Sequence, residues 1–386
     1  MNFKNKGKVY LLSALVVVAA TLGGYFVYKN LPKMSVSQGE DVRSKDLTHC
    51  TIKDESVLRS LFFNSDTVWP DSSKLPENVD PKKLLEEAKY PGMGIKKLHD
   101  QGITGKDVHV AIIDQAIGKS LAHPEYKDAI VEFKSFFPEE IINSENYFGT
   151  SFHGPSMSGL LAGKNTGTAP GVKLHYIEVP MGNMVDAKYF ADALDYIIEK
   201  NKTLDEKDKI RIVSVSAAPS ATQGNTMPNG ELWEQAYNRA KESGILVFDT
   251  KDIFQCCYLD YADKDNISKC FLREDTIKGL KENESSFVTV KRKINSVYDL
   301  LCVPCGARTS AESKTPGEYS YYYQYPSESA SIPTLCGIIA MGLQVNPNVS
   351  NDKIIKTLYE TAHVNSQGFR VIYPEKFVNA IKNIKN

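Results

Sequence analysis

Apolar residues in the last two-thirds of the chain fall into short, nearly continuous runs, which are separated by longer amphipathic stretches. Such continuous runs are typical of strands that are buried on both faces of a sheet. We predict strands at 108–114, 173–179, 210–216 and 244–249, with helices at 185–200 and 231–243. This alternation indicates an α/β fold in three layers, with a mostly parallel sheet and helices on both of its faces.

A longer apolar stretch lies near the N-terminus. Val9 to Tyr28 carries no charge, and twenty residues of helix span about 30 Å, the thickness of the bilayer core. Three lysines precede it, and positive flanks stay on the cytoplasmic side. We therefore expect residues 1–30 to be a transmembrane helix that anchors the chain in the cell membrane as a single-pass protein. A cleaved signal peptide, which would leave a secreted protein, is the alternative because Ala19 and Ala20 are small.

The rest of the chain divides where its composition changes. Residues 31–93 are polar and punctuated by proline, which predicts an extracytoplasmic linker or a loosely packed extension. Residues 94–386 carry the alternating pattern and form the main predicted domain. The formal net charge of −1 gives no field that would attract nucleic acid, so we expect no nucleic-acid partner.

Seven cysteines are present, an odd number, so at least one thiol stays outside any disulfide formed within the chain. Cys302 and Cys305 have a spacing that suits a metal or redox site, but no second pair accompanies them. We therefore predict no metal ligands. Cys336 falls in a predicted buried helix, where it is expected to act as a small apolar residue.

Three polar residues stand where chemistry is expected in such a sheet. Asp114 ends the first predicted strand, and ligands and reactive groups gather at the carboxyl ends of parallel strands. His153 begins a helix rich in small residues, in which Gly159 indicates close backbone packing. Ser329 precedes a buried helix that we expect to start near Pro333, because proline is tolerated in a first turn. Taken singly, these residues could be a turn-capping aspartate, a structural histidine and a helix N-cap.

The three segments together resemble one family, the subtilases or subtilisin-like serine peptidases, in a divergent form found in firmicutes. The matching stretches are "VAIIDQAI", "HGPSMSGLLAG" and "SASIP", and they occur in the family's order of aspartate, histidine and serine. The resemblance covers about residues 94–385 and implies a subtilisin-like fold. It also implies that Ser329 is the nucleophile, that His153 is its general base and that Asp114 orients the imidazole.

The resemblance implies further site residues. "IVSVSAA" is similar to the family strand that binds extended substrate, so Ser216, Ala217 and Ala218 are expected to pair with a peptide at a sheet edge. The family's oxyanion asparagine has no counterpart here, and Asp252 is the nearest candidate. Loss of such a donor costs roughly 10²–10³ in kcat, which predicts weak activity.

Two functions therefore follow from the sequence. The first is a membrane-anchored, extracytoplasmic serine endopeptidase that acts on protein or peptide substrates and needs no cofactor. The second is a non-catalytic binding or sensing module on the same scaffold, which the altered oxyanion segment favours. The resemblance also implies structural calcium, but no ligand set has a recognisable spacing.

Overall fold

A parallel sheet of five strands forms the centre of the fold. The computed structural model describes residues 35–145, 147–220, 227–251, 254–260, 263–284, 296–313, 315–324 and 328–385. The predicted membrane anchor at 1–30 and the oxyanion candidate Asp252 lie outside these residues. Within the described part of the chain, none of the helices has the length and apolar character needed to cross a bilayer.

The described strands are β1 (Phe63–Asn64), β2 (His109–Asp114), β3 (Ile130–Ser135), β4 (Lys173–Glu178), β5 (Ile212–Ser214), β6 (Leu246–Phe248), β7 (Phe254–Cys257), β8 (Leu301–Pro304), β9 (Arg308–Ser313), β10 (Tyr319–Gln324), β11 (His363–Val364) and β12 (Arg370–Val371). The described α-helices are α1 (Glu55–Ser60), α2 (Pro81–Glu87), α3 (Ile95–Asp100), α4 (Glu139–Ile142), α5 (His153–Ala162), α6 (Ala187–Asn201), α7 (Gly230–Glu242), α8 (Glu274–Glu282), α9 (Glu328–Val345), α10 (Asn351–Thr361) and α11 (Pro374–Asn383).

The central sheet has the strand order β3-β4-β2-β5-β6, and all four neighbouring pairs are parallel. It contains the four strands predicted from the apolar runs. A second sheet has the order β11-β12-β8-β7, and a third, antiparallel sheet has the order β1-β10-β9. The mixed α/β architecture with a parallel sheet is therefore confirmed.

Helices cover both faces of the central sheet. Val110 and Ile112 of β2 belong to the core on one face, which also contains residues of α5, α9 and α11. Ala111 and Ile113 alternate with them and belong to the core on the other face, with α6 and α7. Because successive strand residues point to opposite faces, a strand buried on both faces must be apolar throughout. The continuous apolar runs have this origin.

The segment before residue 94 differs from the loose linker that its composition suggested. Its apolar side chains, among them Leu47, Leu58 and Phe63, form a buried cluster with Ala307 and Tyr323 of the main domain. β1 pairs with β10 in the antiparallel sheet, and the ring of Phe63 stacks on that of Tyr323 at 4.6 Å between centroids. The segment has few apolar residues, but they are buried because they pack against a surface of the main domain. The division of the chain at residue 94 stays a prediction.

One disulfide joins Cys256 to Cys305, and the other five cysteines are buried thiols. Cys302 and Cys305 therefore do not form one site, since only Cys305 is in the disulfide. Cys336 is fully buried in α9, as predicted. Among the described residues, no group of three or more histidine, cysteine or acidic side chains is arranged to hold a metal ion.

Candidate active site

Asp114 is the last residue of β2 and its side chain is almost fully buried. Its Oδ1 accepts two hydrogen bonds of 2.7 Å, one from the backbone N–H of Gln115 and one from Nδ1 of His153. The strand register places Asp114 beside Glu178 of β4. The aspartate thus stands at the carboxyl end of a parallel strand, where reactive groups were expected.

The backbone after Asp114 is held by two residues of β4. Glu178 accepts hydrogen bonds from the N–H groups of Ile117 and Gly118, each at 3.0 Å. The hydroxyl of Tyr176 donates to the carbonyl of Gln115 at 2.5 Å. Neither Glu178 nor Tyr176 was predicted to hold this backbone. The signal in the sequence is weak: Glu178 is the one acidic residue of the predicted strand 173–179.

His153 is the first residue of α5. Ser151 stabilises this helix start because its Oγ accepts a hydrogen bond from the N–H of Gly154 at 3.0 Å. A Cβ on Gly154 would collide with Tyr176 and Ile117, so only glycine lets the helix start approach the end of β2 this closely. Gly159 has the same role farther along, where a Cβ would lie 2.9 Å from the backbone nitrogen of Ala311 in β9. The predicted close packing of this helix is confirmed.

The histidine is electrostatically prepared to take up a proton. Burial, the largest contribution, disfavours the charged imidazolium and lowers the pKa of His153. The negative charge of Asp114 and their hydrogen bond act in the opposite direction, and together they raise the pKa above its ordinary value. An imidazole with such a partner has a fixed tautomer, with its proton on Nδ1 and with Nε2 as the acceptor.

Ser329 is the second residue of α9, so this helix begins earlier than expected. Pro333 is its sixth residue rather than part of its first turn. A proline has no backbone N–H, so the carbonyl four residues earlier, that of Ser329, loses its helical partner. Ser216 compensates, since its Oγ donates to this carbonyl at 2.9 Å. This bond ties the start of α9 to the segment after β5.

The starts of α5 and α9 lie against each other. Ala330, which follows Ser329, is buried in one cluster with Met157 and Leu160 of α5. Asp114 and His153 are joined by a hydrogen bond, whereas no bond links His153 to Ser329 in the part of the chain that the structure describes. Hydrogen bonds of catalytic groups are often long in proteins without substrate and tighten when substrate binds.

The segment predicted to bind substrate follows β5 and is half-buried. β5 itself lies between β2 and β6, so it is not a sheet edge over Ile212–Ser214. Ala217 uses both of its backbone groups within the chain, since its N–H donates to Val215 and its carbonyl accepts from Thr250. Ser216 and Ala218, beyond the end of the strand, stay predictions as residues that pair with substrate. The earlier expectation of three pairing residues at an edge does not fit Ala217.

The N-terminal segment reaches the border of the site. The guanidinium of Arg43 lies 5.8 Å from the ring centroid of Phe152, which is half-exposed and precedes His153. The rings of Phe152 and His153 are in turn 5.8 Å apart and nearly perpendicular. Residues before position 94 thus contribute to the surface next to the candidate histidine.

Comparison with known proteins adds an independent line of evidence. The model of the subtilase family matches residues 105–248, a range that contains Asp114 and His153 and ends before Ser329. An alkaline protease of Alkalihalobacillus alcalophilus is 25% identical over 366 residues, covering 88% of this chain and 86% of the relative. The major intracellular serine protease of Bacillus subtilis (strain 168) is 26% identical over 184 residues, covering 46% of this chain and 49% of the relative.

A solved structure is similar in fold. The prenylagaramide maturation protease PagA superimposes with a TM-score of 0.50 at 13% sequence identity, covering 76% of this chain and 99% of that chain. At this identity the likeness concerns the fold alone.

Proposed function

We propose that this chain, a serine peptidase and a divergent member of the subtilase family, hydrolyses peptide bonds through Asp114, His153 and Ser329. The observation that carries the proposal is the 2.7 Å hydrogen bond from His153 to the buried Asp114, next to the helix start that contains Ser329. The same two residues, taken singly, had ordinary structural explanations. Their contact across 39 residues of sequence favours a shared chemical role.

The first half of the proposed reaction forms an acyl-enzyme. Ser329 Oγ attacks the carbonyl carbon of the substrate while Nε2 of His153 accepts the hydroxyl proton. The imidazolium that results is stabilised by the carboxylate of Asp114. His153 then donates the proton to the leaving amine, and the peptide bond breaks.

The second half releases the acyl group. A water molecule gives a proton to His153 and attacks the ester carbonyl, and the proton then returns to Ser329 Oγ. Both steps require that Nε2 of the imidazole exchange the proton while Nδ1 keeps its hydrogen bond. The hydrogen bond of Nδ1 to Asp114 supplies this condition.

Stabilisation of the oxyanion is assigned to the first turn of α9. Backbone N–H groups in a first turn have no partner within the helix and carry partial positive charge. Asp252, the side-chain candidate, brings a carboxylate that repels an oxyanion unless it is protonated. We therefore expect a slow peptidase, because a side-chain donor of this kind contributes about 10²–10³ in kcat.

Hydrolysis of a library of unmodified peptides by the purified full-length chain tests this proposal. S329A and H153A are expected to abolish cleavage, because each removes a group that exchanges the proton. S268A is the matched control, since Ser268 is an exposed serine whose hydroxyl donates a hydrogen bond to its near neighbour Asn266. A folded wild-type protein that cleaves none of the peptides, yet binds some of them, would favour the non-catalytic binding module.

We further propose that residues 1–30 anchor the peptidase in the membrane with its main domain outside the cytoplasm. The uncharged stretch and its preceding lysines support this placement. Fractionation of intact cells, followed by proteolysis from outside, is expected to find the chain in the membrane fraction and accessible. A soluble secreted protein whose N-terminus lies after Ala20 would show instead that the segment is a cleaved signal.

A further inference from the structure

The disulfide between Cys256 and Cys305 joins two neighbouring parallel strands. Cys256 is in β7, and Cys305 directly follows β8. The strand register pairs Cys256 with Val303, so Cys305, two residues farther along, lies on the same face of the sheet as Cys256. The bond holds the two Cα atoms 6.1 Å apart.

This disulfide packs against both helix starts of the proposed active site. It shares a small buried cluster with Met157 and Leu160 of α5 and with Ala330 of α9. Met157 and Leu160 lie four and seven residues after His153, on one face of the helix. Ala330 is the residue after Ser329. The disulfide therefore shares its buried cluster with residues that lie within about two turns of His153 in α5 and of Ser329 in α9.

The disulfide also contacts a hydroxyl near the start of α9. Cys305 Sγ lies 3.6 Å from the hydroxyl of Ser331, which is fully buried. Interiors are packed without spare volume, and two thiols need more room than one disulfide because unbonded sulfur atoms stay at van der Waals distance. Breaking the bond would therefore push on Met157 and Ala330, the neighbours through which the two helices meet.

We propose that Cys256 and Cys305 are positioning residues of the peptidase: their disulfide sets the separation of the two helix starts at which His153 can take the proton from Ser329. This inference rests on the proposed function. Misplacement of reacting groups by about 1 Å costs about 10²-fold in rate. We expect loss of the disulfide to lower kcat about 10- to 100-fold while KM changes less than about twofold, because neither Ser216 nor Ala218 belongs to the buried cluster around the disulfide.

The opposite face of the same strands offers a matched control. Cys257 follows Cys256 and points the other way, and its buried thiol contacts those of Cys270 and Cys302. The double variant C257A/C302A removes two cysteines from β7 and β8 but leaves the disulfide cluster intact. Like C256A/C305A, it removes two sulfur atoms from buried positions at these strands.

The experiment uses the full-length chain in detergent and compares four samples: oxidised wild type, wild type reduced with dithiothreitol, C256A/C305A and C257A/C302A. Dithiothreitol gives two electrons and two protons to the disulfide and becomes a cyclic disulfide itself. Mass spectrometry counts the thiols, circular dichroism checks folding, and peptide hydrolysis gives kcat and KM. Reoxidation of the reduced wild type tests recovery, which keeps the experiment decisive if C256A/C305A does not fold.

We expect reduction to lower kcat of wild type and of C257A/C302A, reoxidation to restore it, and C256A/C305A to be slow and insensitive to dithiothreitol. The inference is overturned if fully reduced, folded wild type keeps its kcat, if the loss appears in KM, or if C257A/C302A is slowed as much as C256A/C305A. Oxidised wild type that cleaves no peptide and reacts with no fluorophosphonate would overturn the proposed function, and this inference with it.

Discussion

Replacement of Asp114 by asparagine removes the charge from the central hydrogen bond of the site while keeping its shape. In the wild type, one oxygen of Asp114 accepts from both Gln115 and His153, and Oδ2 is buried with no hydrogen-bond partner among the described residues. If the asparagine oxygen keeps both bonds, its NH₂ group is buried without an acceptor. If the side chain turns over, the NH₂ group faces two N–H groups and forces the wrong histidine tautomer.

Both arrangements weaken the imidazolium on which the reaction depends. The same substitution in a serine–histidine–aspartate triad lowers kcat by about 10⁴, which corresponds to about 5.4 kcal/mol of transition-state stabilisation. The pKa of His153 must also fall, because burial, which lowers it, remains while the negative charge of Asp114, which raises it, is lost. The acid limb of the activity profile is therefore expected to move to lower pH.

The assay is peptide hydrolysis by wild type and D114N from about pH 5 to about pH 10. D249N is the matched control, because Asp249 is another buried carboxylate near the end of a central strand, where it accepts from Trp233 and from the N–H of Lys251. It is expected to lose stability without a shift of the acid limb. A D114N variant that is folded and slowed by less than about tenfold, or whose acid limb stays in place, would contradict the proposed role of Asp114.

Burial lowers the pKa of both His109 and His175, which are hydrogen-bonded to each other, so the folded state keeps them neutral. The free energy of unfolding should therefore fall as pH drops from about 7 to about 5. Urea titrations of H109Q should show a flatter pH dependence, and an unchanged slope would contradict this. F63A should lower the free energy of unfolding by about 3–5 kcal/mol, and V68A, at an exposed position, by less than about 0.5 kcal/mol. Two separate unfolding transitions would show instead that the N-terminal segment folds independently. S216A removes the hydroxyl that donates to the carbonyl of Ser329, so it should lower kcat about fivefold, the equivalent of about 1 kcal/mol, with little change in KM. An altered KM alone would indicate instead that this hydroxyl contacts the substrate.

The parts of the fold that depend on local patterns could be predicted from the sequence. A strand buried on both faces must be apolar throughout, and this requirement located β2, β4, β5 and β6. The pairing of Asp114 with His153 could be anticipated because one ends a parallel strand and the other begins a helix, and both fell in stretches similar to a known family. The bounds of the strands were less certain, since pairing over Ile212–Ser214 uses fewer residues than the apolar run.

Contacts between distant segments were not visible in the sequence. Nothing near Phe63 indicates that its ring meets Tyr323, because this contact depends on how a small sheet forms from two ends of the chain. The bond from Ser216 to the carbonyl of Ser329 has a local cause in Pro333, but its donor comes from 113 residues earlier. The polar, proline-rich composition before residue 94 suggested a loose segment. This expectation was wrong because the surface that buries the apolar side chains of the segment belongs to the main domain, far along the sequence.

In the proposed mechanism, Ser329 is a nucleophile activated by His153 and Asp114. Its most direct test is treatment of the folded full-length chain with a fluorophosphonate, followed by proteolysis and mass mapping of the modified residue. We predict a single phosphonyl adduct on Ser329 whose formation is lost in S329A and is strongly slowed in H153A. An adduct on another serine, or no adduct on folded wild type, would contradict it.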